Sequence, residues 1–211
     1  MECGIECLKG CKKFAVLGGT FDPIHYGHIM AGKAVMDNTD VEKVLFLPSG
    51  DPPHKQGKNI TKGSMRGKMT CLALEGYDDF VYSSMEIERT GRTYTIDTVK
   101  ELKEKIGKDS EFYFVTGADA ILLIETWKNY KELLGLCNFI AVTRPGYDNK
   151  SFKGFVSKLK KEYGCAIETI EIPEVDISSS EIRQKVEDGI NISGLVPEKV
   201  EEYIIEKGLY K

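Results

Sequence analysis

Short apolar runs of β type alternate with helix-type stretches along nearly all of this 211-residue chain. The strand candidates are residues 14–17, 44–47, 80–82 together with 85–87, 112–116, 139–142 and 166–172. The helix candidates are residues 28–38, 64–75, 96–106, 118–135, 152–163, 179–188 and 197–207. Strands that alternate with helices pair in parallel, because each helix carries the chain back across the sheet. The sequence therefore predicts an α/β fold, a parallel sheet covered by helices.

The glycine-rich segment GGTFDPIHYGH at 18–28 directly follows the first strand candidate. It is neither a Walker A motif nor a G-x-G-x-x-G motif. Glycines still let the backbone approach a phosphate, and the free N–H groups at a helix start favour negative charge. His25 and His28 are three residues apart and so share one face of the helix expected there. A single histidine at a helix start is more often a cap or a surface residue, but this pair indicates a phosphate site for a nucleotide.

Composition excludes several classes of protein. Apolar residues make up 41% of the chain and charged residues 29%, which is ordinary for a globular protein. The net charge of −4 argues against a broad nucleic-acid surface. No apolar run approaches the ~20 residues of a membrane helix. The N-terminus carries acid and lacks the apolar core of a signal peptide. We expect one cytoplasmic domain over 13–211, with no nucleic-acid or membrane partner.

Residues 1–12 are expected to form a short, poorly ordered leader. Cys3, Cys7 and Cys11 recur at regular spacing there, but the chain has no C-x-x-C pair and no histidine lies near them. Two glycines weaken any helix that would align the three thiols. A metal site is therefore disfavoured, and the thiols are expected to be reduced.

Four candidate segments follow strand candidates, at 18–28, 48–55, 117–119 and 144–146. In an open parallel sheet, ligands bind beyond the carboxyl ends of the strands, where the strand order reverses. We therefore expect these segments to line one crevice. In the second segment, prolines stiffen the loop that presents Lys55, whose ammonium group suits a phosphate. An exposed lysine in a turn is the structural alternative.

Two motifs near opposite ends of the chain carry a resemblance to a known superfamily. The segment 18–28 resembles the GG(S/T)FDPxHxGH signature of nucleotidyltransferases that join a nucleotide to a phosphorylated small molecule. ISSSEIR at 177–183 resembles their ISSTxIR element, and PPHK at 52–55 is similar to an element of the bacterial nicotinate mononucleotide adenylyltransferases. The resemblance runs from about residue 13 to the last residues. It implies a Rossmann-like, doubly wound parallel sheet with helices on both faces.

The resemblance also implies two groups of binding residues. On the ATP side they are Gly18, Gly19, Thr20, Phe21, His25, His28, Gly117, Asp119, Arg144, Ser179, Ser180 and Arg183. On the side of nicotinate mononucleotide they are Lys55, Tyr94, Thr95, Asp97 and Trp127. The implied catalytic residues are His25, His28 and Lys55.

Several of these residues have structural alternatives. RTGRTYTIDT at 89–98 resembles the family's R-x-G-x-S-Y-T-x-D-T, although an arginine and a threonine stand where proline and serine are usual. In that family, backbone N–H groups around Tyr94 and Thr95 meet the nicotinate carboxylate; a helix cap is the alternative role. Trp127, the only tryptophan, holds the family position that stacks on the pyridine ring, whereas a lone tryptophan is more often part of a core. The serines at 178–180 are equally suited to capping.

The implied reaction transfers the adenylyl group of ATP to nicotinate mononucleotide and releases pyrophosphate, as a step of NAD biosynthesis. The protein would act by positioning and charge stabilisation, with no covalent intermediate. Mg²⁺ would be held mainly by ATP phosphates and water, with no protein ligand named. The alternatives are nicotinamide mononucleotide or phosphopantetheine as acceptor and, more remotely, an inactive nucleotide-binding regulatory module. A homo-oligomer is compatible with the sequence.

Overall fold

Six parallel strands form one sheet in a computed structural model that describes residues 4–51, 60–107, 110–144, 150–172 and 177–211. In chain order the strands are β1 (Lys13–Gly19), β2 (Lys43–Pro48), β3 (Phe80–Tyr82), β4 (Glu111–Gly117), β5 (Asn138–Thr143) and β6 (Ile167–Glu171). Their spatial order is β3-β2-β1-β4-β5-β6, and every neighbouring pair is parallel. The order reverses between β1 and β4, as in a doubly wound sheet.

Nine α-helices lie within the described residues. They are α1 (Tyr26–Asn38), α2 (Gly63–Ala73), α3 (Met85–Glu88), α4 (Thr95–Ile106), α5 (Ala118–Leu122), α6 (Tyr130–Leu136), α7 (Lys150–Tyr163), α8 (Ser179–Glu187) and α9 (Glu198–Glu206). Two 3₁₀ helices span Ile5–Leu8 and Ile124–Thr126. No helix in the described ranges is long and apolar enough to cross a membrane.

Helices cover both faces of the sheet. Side chains of β1 alternate between the two faces, because successive strand residues point in opposite directions. Ala15 packs in the cluster formed with α1, α2, α8 and α9, whereas Phe14 and Val16 pack in the cluster formed with α4 to α7. The interiors of β1, β2 and β4 are buried over at least four successive residues, as expected for strands covered on both sides. The predicted α/β fold with a doubly wound parallel sheet is confirmed.

Two predicted elements are wrong. Residues 85–87 form part of α3 rather than a strand. The strand β3 ends after three residues, and the N–H of Glu88 then donates to the carbonyl of Ser84 at 3.0 Å, which is a helical hydrogen bond. The single helix expected over 118–135 is divided into α5, a 3₁₀ turn and α6. Trp127 has extended backbone angles and Asn129 has φ +51°, a left-handed conformation that asparagine tolerates and that stops a helix.

The described part of the leader, residues 4–12, makes contacts with the rest of the chain. Leu8 is fully buried in the cluster with α4 to α7, since the 3₁₀ helix at 5–8 turns its apolar side inward. The hydroxyl of Ser110 donates to the carbonyl of Cys11 at 3.0 Å, which fixes the end of the leader to the start of β4. Cys7 is disulfide-bonded, whereas the sequence pattern favoured reduced thiols.

Candidate active site

The chain leaves β1 through a turn in which two glycines lie against aromatic rings. A Cβ at Gly19 would lie 2.5 Å from the ring of Phe21, and a Cβ at Gly18 would lie 3.1 Å from Cζ of Phe114. Phe21 is buried and has φ +49°, a left-handed conformation that is rare for a bulky residue. The turn therefore folds back over its own phenylalanine, and a side chain at Gly19 would collide with that ring.

The two histidines that follow this turn face each other. His25 is the N-cap of α1, and its ring centroid lies 3.8 Å from that of His28 with 31° between the ring planes. The backbone N–H of His25 donates to Nδ1 of His28 at 3.2 Å, so a neutral His28 carries its hydrogen on Nε2. A Cβ at Gly27 would lie 3.0 Å from the ring of His25. The glycine between the histidines therefore makes room for the stacked pair.

The ring of His25 is buried and electrically neutral at pH 7. Only 6% of the residue is exposed, and burial lowers its pKa to about 4 because the charged imidazolium loses its hydration. Its Nδ1 is buried without a hydrogen-bond partner among the described residues. A buried polar atom without a partner costs free energy, so it marks a point where a ligand atom would be stabilising.

The serine-rich element near the C-terminal end of the chain packs directly on the turn after β1. Ser178 caps α8 through reciprocal hydrogen bonds with Glu181, as the capping alternative predicted. The hydroxyl of Ser179 donates to the carbonyl of Pro23 at 2.9 Å. Nη1 of Arg183 donates to the carbonyl of Asp22 at 2.7 Å. The two motifs that carry the family resemblance thus form one surface.

The end of β2 also joins this surface. The N–H of Ser49 donates to the carbonyl of Gly19 at 2.8 Å, and the N–H of Thr93 donates to the carbonyl of Asp51 at 3.0 Å. The segment before α4 is thereby attached to the glycine turn through the end of β2. Lys55, with the rest of residues 52–59, lies outside the described residues.

Three residues predicted on the nicotinate mononucleotide side, Tyr94, Thr95 and Asp97, lie at the start of α4. Nζ of Lys128 lies 4.3 Å from the ring centroid of Tyr94 and 3.0 Å from Oδ2 of Asp97. Trp127 is half-buried and meets Phe114 edge-on, with 6.3 Å between ring centroids. Phe114 in turn borders Gly18, so a single aromatic ring separates the indole from the glycine turn.

The remaining predicted ATP-side residues lie at the ends of the next two strands. Gly117 ends β4 with open space where a Cβ would be, and Asp119 is exposed in the first turn of α5. Arg144 is exposed directly after β5. The other two residues of its predicted segment, 145 and 146, lie outside the described residues. The carboxyl ends of β1, β2, β4 and β5 therefore lie along the same edge of the sheet. A shared crevice was predicted at this edge.

Comparison with known proteins decides the family. Residues 16–185 match the family described as Cytidylyltransferase-like. The chain is 46% identical over 199 residues to the "Probable nicotinate-nucleotide adenylyltransferase" of Thermoanaerobacter sp. (strain X514), with 94% of each chain covered. It is 44% identical over 199 residues to the protein of the same name from Moorella thermoacetica, covering 94% of this chain and 92% of that one. The chain belongs to the nicotinate-nucleotide adenylyltransferase family.

A solved structure shares the fold of this family member. The nicotinic acid mononucleotide adenylyltransferase of Plasmodium falciparum, complexed with NaAD, superimposes with a TM-score of 0.74. The alignment covers 94% of this chain and 97% of that chain at 23% sequence identity. This likeness confirms the doubly wound nucleotidyltransferase fold.

The structure adds to this candidate site one buried cation that the sequence analysis missed. Arg66 on α2 is 2% exposed and donates to three backbone carbonyls, those of Thr61 at 2.8 Å, Thr20 at 2.6 Å and Gly50 at 3.2 Å. A sequence signal exists, because positions 66, 69, 70 and 73 have the spacing of a buried helix face and the first of them is an arginine.

Asp22 is the second polar centre that was missed. Its Oδ1 accepts from the hydroxyl of Tyr210 at 2.8 Å, and its Oδ2 accepts from the N–H of Thr61 at 3.2 Å. Burial and the neighbouring carboxylate raise the pKa of Tyr210 well above its usual range. The C-terminal end of the chain is thus attached to the middle of the glycine-rich motif.

No group of three or more histidine, cysteine, aspartate or glutamate side chains in the described ranges is arranged to hold a metal ion. Two residues of the implied site, Asp97 and Asp119, carry carboxylates, and Asp97 is paired with Lys128.

Proposed function

We propose that this chain transfers the adenylyl group of ATP to nicotinate mononucleotide, giving nicotinate adenine dinucleotide and pyrophosphate. The observation that carries the proposal is the stacked pair His25 and His28 at the start of α1, packed against the glycine turn and the serine-rich element. The family of the chain supports the same reaction. So do two solved structures of the nicotinic acid mononucleotide adenylyltransferase of Plasmodium falciparum, which has the same fold, one complexed with NaAD and one with APC.

On the ATP side, the proposed groups bind the triphosphate through backbone N–H groups and neutral or cationic side chains. Gly18, Gly19 and Thr20 leave the backbone accessible to phosphate oxygens, and His25 and His28 donate to them. Ser179, Ser180 and Arg183 contribute from the start of α8. Phe21 supports the turn from beneath; Gly117, Asp119 and Arg144 border the adenosine.

On the acceptor side, N–H groups at the start of α4 near Tyr94 and Thr95 bind the nicotinate carboxylate, aided by the helix dipole. Trp127 stacks on the pyridine ring, Asp97 holds Lys128 beside Tyr94, and Lys55 neutralises phosphate charge. A phosphate oxygen of the mononucleotide then attacks the α-phosphorus of ATP in line, and pyrophosphate leaves.

The protein contributes position and electrostatics, and no covalent intermediate is formed. His25 enters the reaction neutral, because burial keeps its pKa near 4, and it gains a hydrogen-bond partner when phosphate oxygens arrive. Mg²⁺ enters with ATP, since it retains several waters and prefers phosphate oxygens. The partners are then small molecules, and the proposed compartment is the cytoplasm.

The test is pyrophosphate release with ATP and Mg²⁺, comparing nicotinate mononucleotide with nicotinamide mononucleotide at matched concentrations. We expect a much larger kcat/KM for the acid, because N–H donors at a helix start favour a carboxylate over a neutral amide. Equal values for both acceptors would indicate dual specificity and remove the carboxylate argument. Release with neither would overturn the acceptor assignment, and phosphopantetheine would be the next acceptor to test.

A further inference from the structure

We propose that Arg66 is a positioning residue for this reaction, which holds the glycine turn after β1 and the end of β2 in the arrangement that binds nucleotide. This proposal rests on the proposed function, because its test measures that reaction. It is argued from the hydrogen bonds that Arg66 makes. Arg66 lies on α2, outside both family motifs and outside every candidate site segment of the sequence analysis.

The guanidinium of Arg66 joins three separate backbone segments. Nη1 donates to the carbonyl of Thr20 in the glycine turn, and Nη2 donates to the carbonyl of Gly50 after β2. Nε donates to the carbonyl of Thr61, whose own N–H donates to Asp22. Because one guanidinium binds all three carbonyls, it fixes the position of the glycine turn relative to the loop after β2. These two loops flank the histidine pair.

Two buried carboxylates oppose part of the electrostatic cost of burying this cation. Burial lowers the pKa of Arg66, and the charges of Asp22 and Glu86 oppose that shift. Asp22 is 5% exposed and Glu86 is 8% exposed. The guanidinium donates its hydrogen bonds to carbonyl oxygens, and the two carboxylates act on it through their charges. An arginine is then needed for its geometry, because its planar fork holds several fixed donors.

The position of Phe21 shows why such a fork is needed. Phe21 has φ +49°, a conformation that persists in a bulky residue only when its surroundings determine it. The residue before it is held by Arg66 through the carbonyl of Thr20, and the residue after it is held by Arg183 through the carbonyl of Asp22. Two arginines therefore fix the turn from either side, and Phe21 in turn supports His28 edge-on at 4.8 Å.

The test compares Arg66→Lys with a control at the opposite end of the sheet, Asn138→Ala. Lysine keeps the charge but cannot reach three carbonyls with fixed geometry. Asn138 also joins separate segments, since it donates to Glu111 at 2.8 Å and accepts from the N–H of Ala166 at 2.9 Å. We expect kcat/KM for ATP to fall about 10²-fold in Arg66→Lys, the size of effect that misplacement by about 1 Å produces. Asn138→Ala should lower Tm and keep kcat/KM within about twofold.

Two further measurements separate positioning from folding. Guanidinium added to Arg66→Ala should restore part of the lost kcat/KM and should do nothing for Asn138→Ala. Equilibrium binding of ATP, measured without acceptor, should weaken in Arg66→Lys even if wild-type protein proves inactive on both mononucleotides. Such inactivity would overturn the proposed acceptor and leave the role of Arg66 standing. A folded Arg66→Lys with unchanged ATP affinity and kcat/KM, or Arg66 variants that are all unfolded at the assay temperature, would overturn the positioning role.

Discussion

The two ends of the sheet differ in how their polar groups are used. At the amino end of β4 and β5 lies a cavity of about 300 Å³, lined among others by Glu111, Asn138 and Cys165. Its polar groups are paired, because Glu111 accepts from Asn138 and from Tyr113 while Asn138 accepts from Ala166. These polar groups at the amino end therefore have hydrogen-bond partners within the protein.

At the carboxyl end the situation is reversed. Among the described residues, Nδ1 of His25 and Oγ of Ser49 are buried without a hydrogen-bond partner. Both residues lie beyond the carboxyl end of a strand, His25 after β1 and Ser49 directly after β2. Two arginines at this end, Arg66 and Arg183, donate to backbone carbonyls. The candidate site is therefore marked by buried polar atoms that lack a hydrogen-bond partner and are held in fixed positions. The volume of a cavity does not mark it.

The largest expected effect tests whether the histidine pair is the centre of the carboxyl-end site. His28→Ala should lower kcat by about 10²–10³-fold, as for loss of one preorganised donor to developing charge. Steady-state pyrophosphate release measures it, with Asn138→Ala as the amino-end control. If His28→Ala keeps nearly the wild-type rate, His28 has no part in the mechanism and the contrast between the two ends loses its main support.

The second prediction concerns pH and uses the burial of His25. Because its pKa is about 4 in the folded protein and about 6.5 when unfolded, the unfolded state binds more protons between these values. The stability contributed by neutral His25 is therefore complete above about pH 6.5 and is lost as pH falls toward 4. Tm measured across this range should fall more steeply for wild-type protein than for His25→Gln. Parallel curves would mean that His25 is not buried in its neutral form.

The smallest expected effect compares two tyrosines, one at each end. The hydroxyl of Tyr210 donates to Asp22 at 2.8 Å, and that of Tyr113 donates to Glu111 at 3.1 Å. Removing either hydroxyl should lower the free energy of unfolding by at most about 1.5–3 kcal/mol, the range for hydrogen bonds to charged groups. Denaturant unfolding measures this cost in Tyr210→Phe and Tyr113→Phe. Only Tyr210→Phe should also reduce kcat/KM, by about threefold to tenfold; equal activity in both variants would detach Asp22 from the site.

The sequence was sufficient for the elements and their order because burial on both faces leaves continuous apolar runs in parallel strands. It misread 85–87, since Met85 and Ile87 alternate with acidic residues as strand residues do, while the chain turns into α3 instead. It also missed the break before α6, which depends on the left-handed backbone of one residue, Asn129.

The candidate site was predictable where its residues form a local pattern in the sequence. It was unpredictable where a side chain binds a backbone carbonyl far away along the chain. Glycines and histidines at 18–28 follow one another closely, so their spacing carries the signal. Arg66 reaches a carbonyl 46 residues away, and Arg183 reaches one 161 residues away. Every residue has a backbone carbonyl, so the acceptor of such a bond leaves no mark in the sequence.

The most direct test of the account follows the imidazole signals of the chain's three histidines by NMR while ATP is added. His25 and His28 are assigned by single substitution, and each is titrated with pH in the absence and presence of ATP. The account predicts that ATP shifts the signals of both rings and raises the pKa of His25 from about 4, because phosphate charge favours the imidazolium. Unshifted His25 and His28 signals at ATP concentrations that support turnover would contradict it.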